Sequence, residues 1–423
     1  MRLALNKKPF IAQSLALSVA ALMMTTTHAA TKEQQELAQL RAEVAELKAL
    51  MQQQQQVQQQ QAVQIQQVKT QPAPVKAESS LSSFKSKSGA DINLYGFVRG
   101  DANYIIEGAD GDFADVSKSN GEAKDKLRAT AKTTRLGLDF TAPVSNAKVG
   151  GKIELDFASG DNNKSENVRI RHAYLTYNNW LFGQTTSNFL ASHAPEMIDF
   201  STNIGGGTTR IPQVRYNYKL APATQLFVSA EEGNSSATGD SVKYRLPVLT
   251  AKITQGYAGG NGNASARAFV ENYKSGKGDD QTGWGVAAGT DFKVADPLKL
   301  FADASYVVGN SNYLYGSNSA YTLVNDNIEQ NEFVAVQVGG TYKILPNLRA
   351  TLAYGAQFAD DGTDYAKAYT AGNEKVQQAW LNVIYTPVKP INLGIEYVNG
   401  KRETFAGDDY KDNRVGLMAK YSF

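Results

Sequence analysis

The chain has 423 residues, with 43 Lys+Arg against 41 Asp+Glu, so its formal net charge is only +2. That balance excludes a polybasic nucleic-acid-coating protein, and the absence of cysteine excludes disulfides, thiolate metal sites and cysteine nucleophiles. His28, His172 and His193 are the only imidazoles, too few to point to zinc or triad chemistry, so neither a cofactor, a metal nor an enzymatic activity is expected.

Met1–Phe10 carries Arg2, Lys7 and Lys8, and Ile11–Met24 is an apolar run of about 14 residues, followed by the small residues of Thr27-His28-Ala29-Ala30. This order predicts a secretory signal peptide over 1–29, cleaved near Ala29. An uncleaved anchor is disfavoured because a spanning helix needs about 18 or more apolar residues.

Residues 30–71 are expected to form a Gln-rich coiled-coil helix. Leu37, Leu40, Val44, Leu47 and Met51 follow the alternating three-and-four spacing of a coiled-coil seam. The register continues through Gln54, Gln58 and Gln61 and turns apolar again at Ile65 and Val68. Glutamine suits a helix but supplies little core, so a disordered linker is the competing reading. A seam needs a partner, which predicts a homo-oligomer. Pro72-Ala73-Pro74 ends the helix, and Ser79–Ser88 completes a linker over 72–90.

From Asp91 to Phe423 the hydrophobic period becomes two. Ile92, Leu94, Gly96 and Val98 share one face, while Asn93, Arg99 and Asp101 share the other with two aromatics. Val149–Phe157, Leu298–Ala304, Val334–Val338 and Arg414–Phe423 alternate likewise. Polar clusters separate such runs: Asp110–Asn120, Asp161–Glu166, Gly233–Asp240, Gly259–Asn263, Gly276–Asp280 and Asp360–Asp364. Tighter turns lie at Pro143–Asn146, Asp296-Pro297, Pro346-Asn347 and Pro387–Pro390. Long loops alternating with short turns predict an up-and-down, all-β transmembrane barrel set among outer-membrane lipids. Roughly 333 residues at about 21 per strand give about 16 antiparallel strands.

If the apolar parity faces lipid, the other parity lines a lumen. It carries Arg99 with Asp101, Arg135 with Asp139, and Lys152, Glu154 and Asp156. Arg169 and Arg171 follow opposite Val168 and Ile170, and Arg215, Arg267, Arg349, Glu396, Arg402 and Arg414 continue the series. Guanidiniums recognise carboxylates by bidentate pairing and keep their charge, so such a wall favours anions. The competing account is that each arginine pairs with a neighbouring carboxylate. Arg169 and Arg171 stand apart from it, with no acid on the same face of their strand.

Ser187–Gly207 breaks the alternation and contains Ser192, His193, Glu196 and Asp199. It is expected either to fold inward and narrow the channel or to serve as an external contact loop. Ser192 beside His193 also suggests a hydrolase, but adjacency in sequence is not triad geometry. A further alternative is a tether, joining the outer membrane to peptidoglycan through residues 31–88. A non-selective general pore is the remaining rival.

Two blocks carry a resemblance. Arg169–Leu175, Gly183–Phe189, Asp199-Phe200 and Pro212–Tyr216 form the first; Asn382–Pro387 and Gly394–Glu403 form the second. They resemble the DcaP-like outer-membrane porins, as does the coiled-coil preface. The resemblance implies a homotrimer of 16-stranded barrels with its N-terminal coiled coil in the periplasm. It also implies passive uptake of small anions, dicarboxylates among them. Thr186 departs from the pattern, which has an aromatic residue after its Gly-Gln-Thr motif.

Overall fold

The computed structural model describes residues 83–87, 89–159, 167–199, 201 and 203–423. The expected signal peptide, the seam and the Pro72–Pro74 break lie outside the described residues. Within the expected linker, Ser83–Lys85 forms a short strand antiparallel to Asp91–Asn93.

Sixteen antiparallel strands close into a barrel. They are β1 (Asp91–Gly108), β2 (Ala123–Thr130 continued by Arg135–Val144), β3 (Ala147–Ser159), β4 (Asn167–Tyr177), β5 (Trp180–Thr186), β6 (Arg210–Ala221), β7 (Thr224–Glu231) and β8 (Val248–Tyr257). The second half comprises β9 (Gly262–Lys274), β10 (Asp280–Ala295), β11 (Leu298–Val308), β12 (Glu332–Leu345), β13 (Leu348–Ala359), β14 (Asn373–Tyr385), β15 (Ile391–Thr404) and β16 (Asp409–Ser422). Each strand pairs with the next, and β1 pairs with β16 from Phe97–Ser422 to Glu107–Asn413. Closure leaves no strand edge unpaired, which is what allows a sheet to sit in hydrocarbon.

The alternation explains the two faces. Leu94, Val98, Leu136, Ile153, Val168, Leu249, Leu352 and Leu417 are exposed on the outer wall, whereas Arg99, Asp101, Glu154, Arg267 and Glu396 are buried within. Among the described residues no helix is long and apolar enough to cross a membrane; the strands make the crossing.

Short turns gather at one end. They include Ser145-Asn146, Asn178-Asn179, Asp296-Pro297 and Pro346-Asn347. Ser145 and Asn178 adopt positive φ, at 53° and 51°, as tight hairpins require. Gly259–Asn263, expected among the long loops, instead falls at this end. Residues 258–261 join β8 to β9 in a single 3-10 turn, with Gly259 and Gly260 at φ 65° and 93°. At the opposite end the longer loops add a three-stranded sheet of Ala237–Thr238, Tyr321–Val324 and Asn327–Gln330.

The loop between β5 and β6, residues 187–209, enters the barrel. Its Phe189 and Leu190 pack with Val248, Phe269, Val307, Tyr313 and Phe333, inward-facing or loop residues in the β8–β12 half. Beside this packed cluster, the larger open space lies against β2–β6 and β8.

Candidate functional site: a cationic constriction

Groups at successive points of the wall, most of them buried, hold the inserted loop. Glu231 on β7 accepts from the Asn188 amide at 3.0 Å. Asp303 on β11 accepts from Arg267 Nη2 at 2.7 and 2.8 Å and lies 3.2 Å from His193 Nε2. Arg349 pairs with Glu196, whose carbonyl accepts from Trp380 Nε1 at 3.1 Å and Asn382 Nδ2 at 2.9 Å. Glu396 accepts from the Ile198 and Asp199 amides at 2.9 and 2.8 Å. Arg99 Nη2 donates to the Ile198 carbonyl, and the Asp199 carboxylate accepts from the Ala114 amide at 2.7 Å.

Between this loop and the wall lies a cavity of about 660 Å³. Lys132, Arg135, Arg169, Arg171, Arg210, Arg215 and Lys252 line it, against one carboxylate, Asp156. Ser192 and Thr186 are also on its wall, and Phe113, Leu190 and Met197 give it an apolar side.

Two local irregularities build the cationic wall. β2 is interrupted at residues 131–134, where the Lys132 carbonyl accepts from the Phe157 amide at 3.0 Å and its side chain turns to Asp112 at 2.7 Å. On β4 the pairing shifts from Leu155–Ile170 to Glu154–His172, so Arg171 is an extra residue. Such a bulge re-aims side chains, and here Arg171 and His172 both face Glu154, at 2.7 and 3.9 Å.

Compensation across the wall is uneven. Arg169 forks onto Asp156 at 2.9 and 2.7 Å, Arg171 bridges Glu154 and Asp156 at 2.7 Å each, and Arg135 reaches Glu154 at 3.4 Å. No acid shares the face of β4, but the acids of β3 neutralise much of this side. Across the cavity, Arg210, Arg215 and Lys252 have no carboxylate partner among the described residues. Arg215 and Lys252 instead stack over the Phe227 ring, at 5.7 and 5.4 Å.

The expected site residues therefore divide. Arg135, Arg169, Arg171, Arg215 and Ser192 come together at the constriction. Arg99, Arg267 and Arg349 do not line this cavity; they hold the loop or its anchors. Arg402 donates to Asn373 Oδ1 and to the Ser119 and Ala371 carbonyls, at 2.6, 2.9 and 3.1 Å. Arg414 is fully buried on Asp412 and the Ala109 and Gly111 carbonyls. Both tie outer loops to the wall rather than facing the cavity. Of the loop candidates, His193 lies behind the loop on Asp303, Asp199 is buried against Ala114, and Glu196 faces a second cavity of about 440 Å³ toward the short-turn end. Ser192 and His193 thus point apart, which removes the hydrolase pairing. Lys132, Arg210 and Lys252 escaped the sequence reading. Only Lys252 carried a signal, opposite in parity to Leu249 and Ile253. Among the described residues no group of three His, Asp or Glu side chains is placed to hold a metal ion.

The sequence profile of the DcaP outer membrane protein family matches residues 24–423. The chain belongs to that family. It is similar to the crystal structure of the outer membrane channel DcaP of Acinetobacter baumannii, at 76% identity and a TM-score of 0.79, over 81% of this chain and 100% of that one. Family and fold make it an outer-membrane porin. Its fold is also similar to that of an anion-selective porin from Comamonas acidovorans, at 14% identity and a TM-score of 0.54, over 79% of this chain and 100% of that one. OmpT of Vibrio cholerae, an outer-membrane protein, gives 13% identity and a TM-score of 0.52, over 81% and 100%. At those identities the likeness is one of fold alone. No curated protein matches the chain.

Proposed function

We propose that this porin passes small hydrophilic anions by passive diffusion, dicarboxylates among them. The observation that carries the reading is the trio Arg210, Arg215 and Lys252 at the constriction, which forms no ion pair among the described residues. Charge held beside low-dielectric walls focuses its field into the channel and raises the local concentration of counter-ions. Facing it, the Arg169/Arg171 network with Asp156 and Glu154 supplies a fixed, hydrogen-bonded wall. A solute with two carboxylates can meet both sides at once. The same reading makes the working unit a homotrimer, with residues 30–71 as a coiled coil in the periplasm.

The test is the reversal potential of purified, reconstituted protein under a KCl gradient, followed by succinate added to one side. A potential on the chloride side and succinate-dependent blocking are expected. Conductance without preference or block would leave a general pore, and folded protein without conductance would favour the tether.

A further inference from the structure

A second chamber adjoins the constriction toward the long-loop end, with a volume of about 340 Å³. The two share Ser201, Thr208 and Tyr315 as lining residues. Their chemistries differ sharply. More than half of the second chamber's lining residues carry hydroxyls, Ser117, Thr208, Thr209, Ser311 and Tyr315 among them. Its two charged lining residues, Asp115 and Lys118, pair with each other at 3.2 Å.

The hydroxyls are pre-oriented. Thr208 Oγ1 and Tyr315 Oη share a hydrogen bond at 2.6 Å, so one of the pair still has a proton to donate and both keep lone pairs. Ser117 Oγ donates to Asp115 Oδ1 at 2.9 Å, which leaves its own lone pairs open to a donor. A neutral, donor-and-acceptor chamber opening onto a cationic one matches a solute with the same polarity along its length.

From this we infer that, among monocarboxylates, the porin favours polyhydroxylated ones, the aldonic and uronic acid class, with the carboxylate at the constriction and the hydroxylated chain in the adjoining chamber. The inference rests on the anion reading proposed above and narrows it. Hydroxyl groups of the solute meet Ser117, Thr208 and Tyr315, while its single charge meets the uncompensated cations. A second carboxylate placed in the outer chamber would meet Asp115 instead.

The experiment measures single-channel blocking of the full-length reconstituted protein by gluconate, hexanoate and succinate. Gluconate and hexanoate share chain length and charge and differ in hydroxyls. Gluconate events are expected to last roughly tenfold longer, the worth of one or two hydrogen bonds. The double variant S117A/Y315F should bring the gluconate-to-hexanoate dwell-time ratio close to one; because Tyr315 also lines the constriction, the ratio rather than either dwell time is read. Equal dwell times for gluconate and hexanoate in the parent protein overturn the inference, as does a gluconate-to-hexanoate ratio that the double variant does not alter. Succinate separates the two levels of the argument. If succinate blocks while gluconate matches hexanoate, the hydroxyl inference alone fails; if no anion blocks, the anion reading fails with it.

Discussion

Arg349 on β13 grips Glu196 of the inserted loop through two parallel hydrogen bonds, Nε donating to Oε2 at 2.6 Å and Nη2 to Oε1 at 2.7 Å. A fork of this kind fixes lateral position as well as attracting the partner. The pair is partly solvated, so its loss costs about 1 kcal/mol at most. R349A is therefore expected to keep the barrel intact but to raise open-channel current noise. Single-channel recording checks this, and parental noise in the variant would show that the loop is held without the pair.

Glu396 sits deeper. It is 1% exposed and accepts from two successive loop amides and from Asn382 Nδ2. E396A strands these donors in the interior and should destabilise the fold by about 3 kcal/mol, the scale for several buried donors losing a charged acceptor. E396Q keeps one oxygen acceptor and should lose less. Denaturant unfolding orders the three proteins, and an unchanged midpoint for E396A would contradict the anchoring role.

Opposite shifts in selectivity are expected from two neighbours at the constriction. R210A removes a charge without an ion-pair partner and should lower the anion-to-cation permeability ratio about sixfold, because one charge roughly 8 Å away in water-like dielectric changes anion and cation occupancy about two- to threefold in opposite directions. D156N frees Arg169 and Arg171 and should raise the ratio by a similar factor. Reversal potentials measure both, and shifts of the same sign would rule out the electrostatic account.

A pH effect is expected outside the membrane-spanning strands. Hydrogen bonds from Lys126 and then Arg128 hold the Asp110 carboxyl below the usual aspartate range. A carboxyl depressed on folding contributes stability that is present above its unfolded pKa and lost as pH falls through its folded value. The 109–122 loop should thus resist pepsin at about pH 4 and yield toward about pH 2. D110N should be cleaved alike at both, and a parent protein already cleaved at the higher pH would refute the stabilising role.

Legibility in the sequence followed the alternation. Leu94 and Val98 against Arg99 and Asp101 announce a two-faced strand without any knowledge of its neighbours, and the spacing of turns announces the strand number. Arg135, Arg169, Arg171 and Arg215 were legible for the same reason. Parity states that a side chain faces inward but not what stands opposite, so Arg267 and Arg414 read as pore cations although Asp303 and Asp412 hold them. Lys132 and Arg210 lie where the alternation fails, at the break in β2 and at the junction of the inserted loop with β6. The Arg171 bulge is invisible too, because an extra residue is defined only by the partner strand it slips against.

The inserted loop leaves the wall after the fifth strand, yet its clamps Arg349, Trp380, Asn382 and Glu396 belong to β13–β15. Glu196 and Arg349 are 153 residues apart, and Ile198 and Glu396 are 198 apart. Contacts this distant in sequence form late, because chain entropy must be overcome first. The constriction therefore cannot mature strand by strand as the sheet grows; it locks only when the last hairpins arrive. Until β13–β15 are in place, the loop keeps only its contacts to earlier strands, such as those of Glu231 and Asp303.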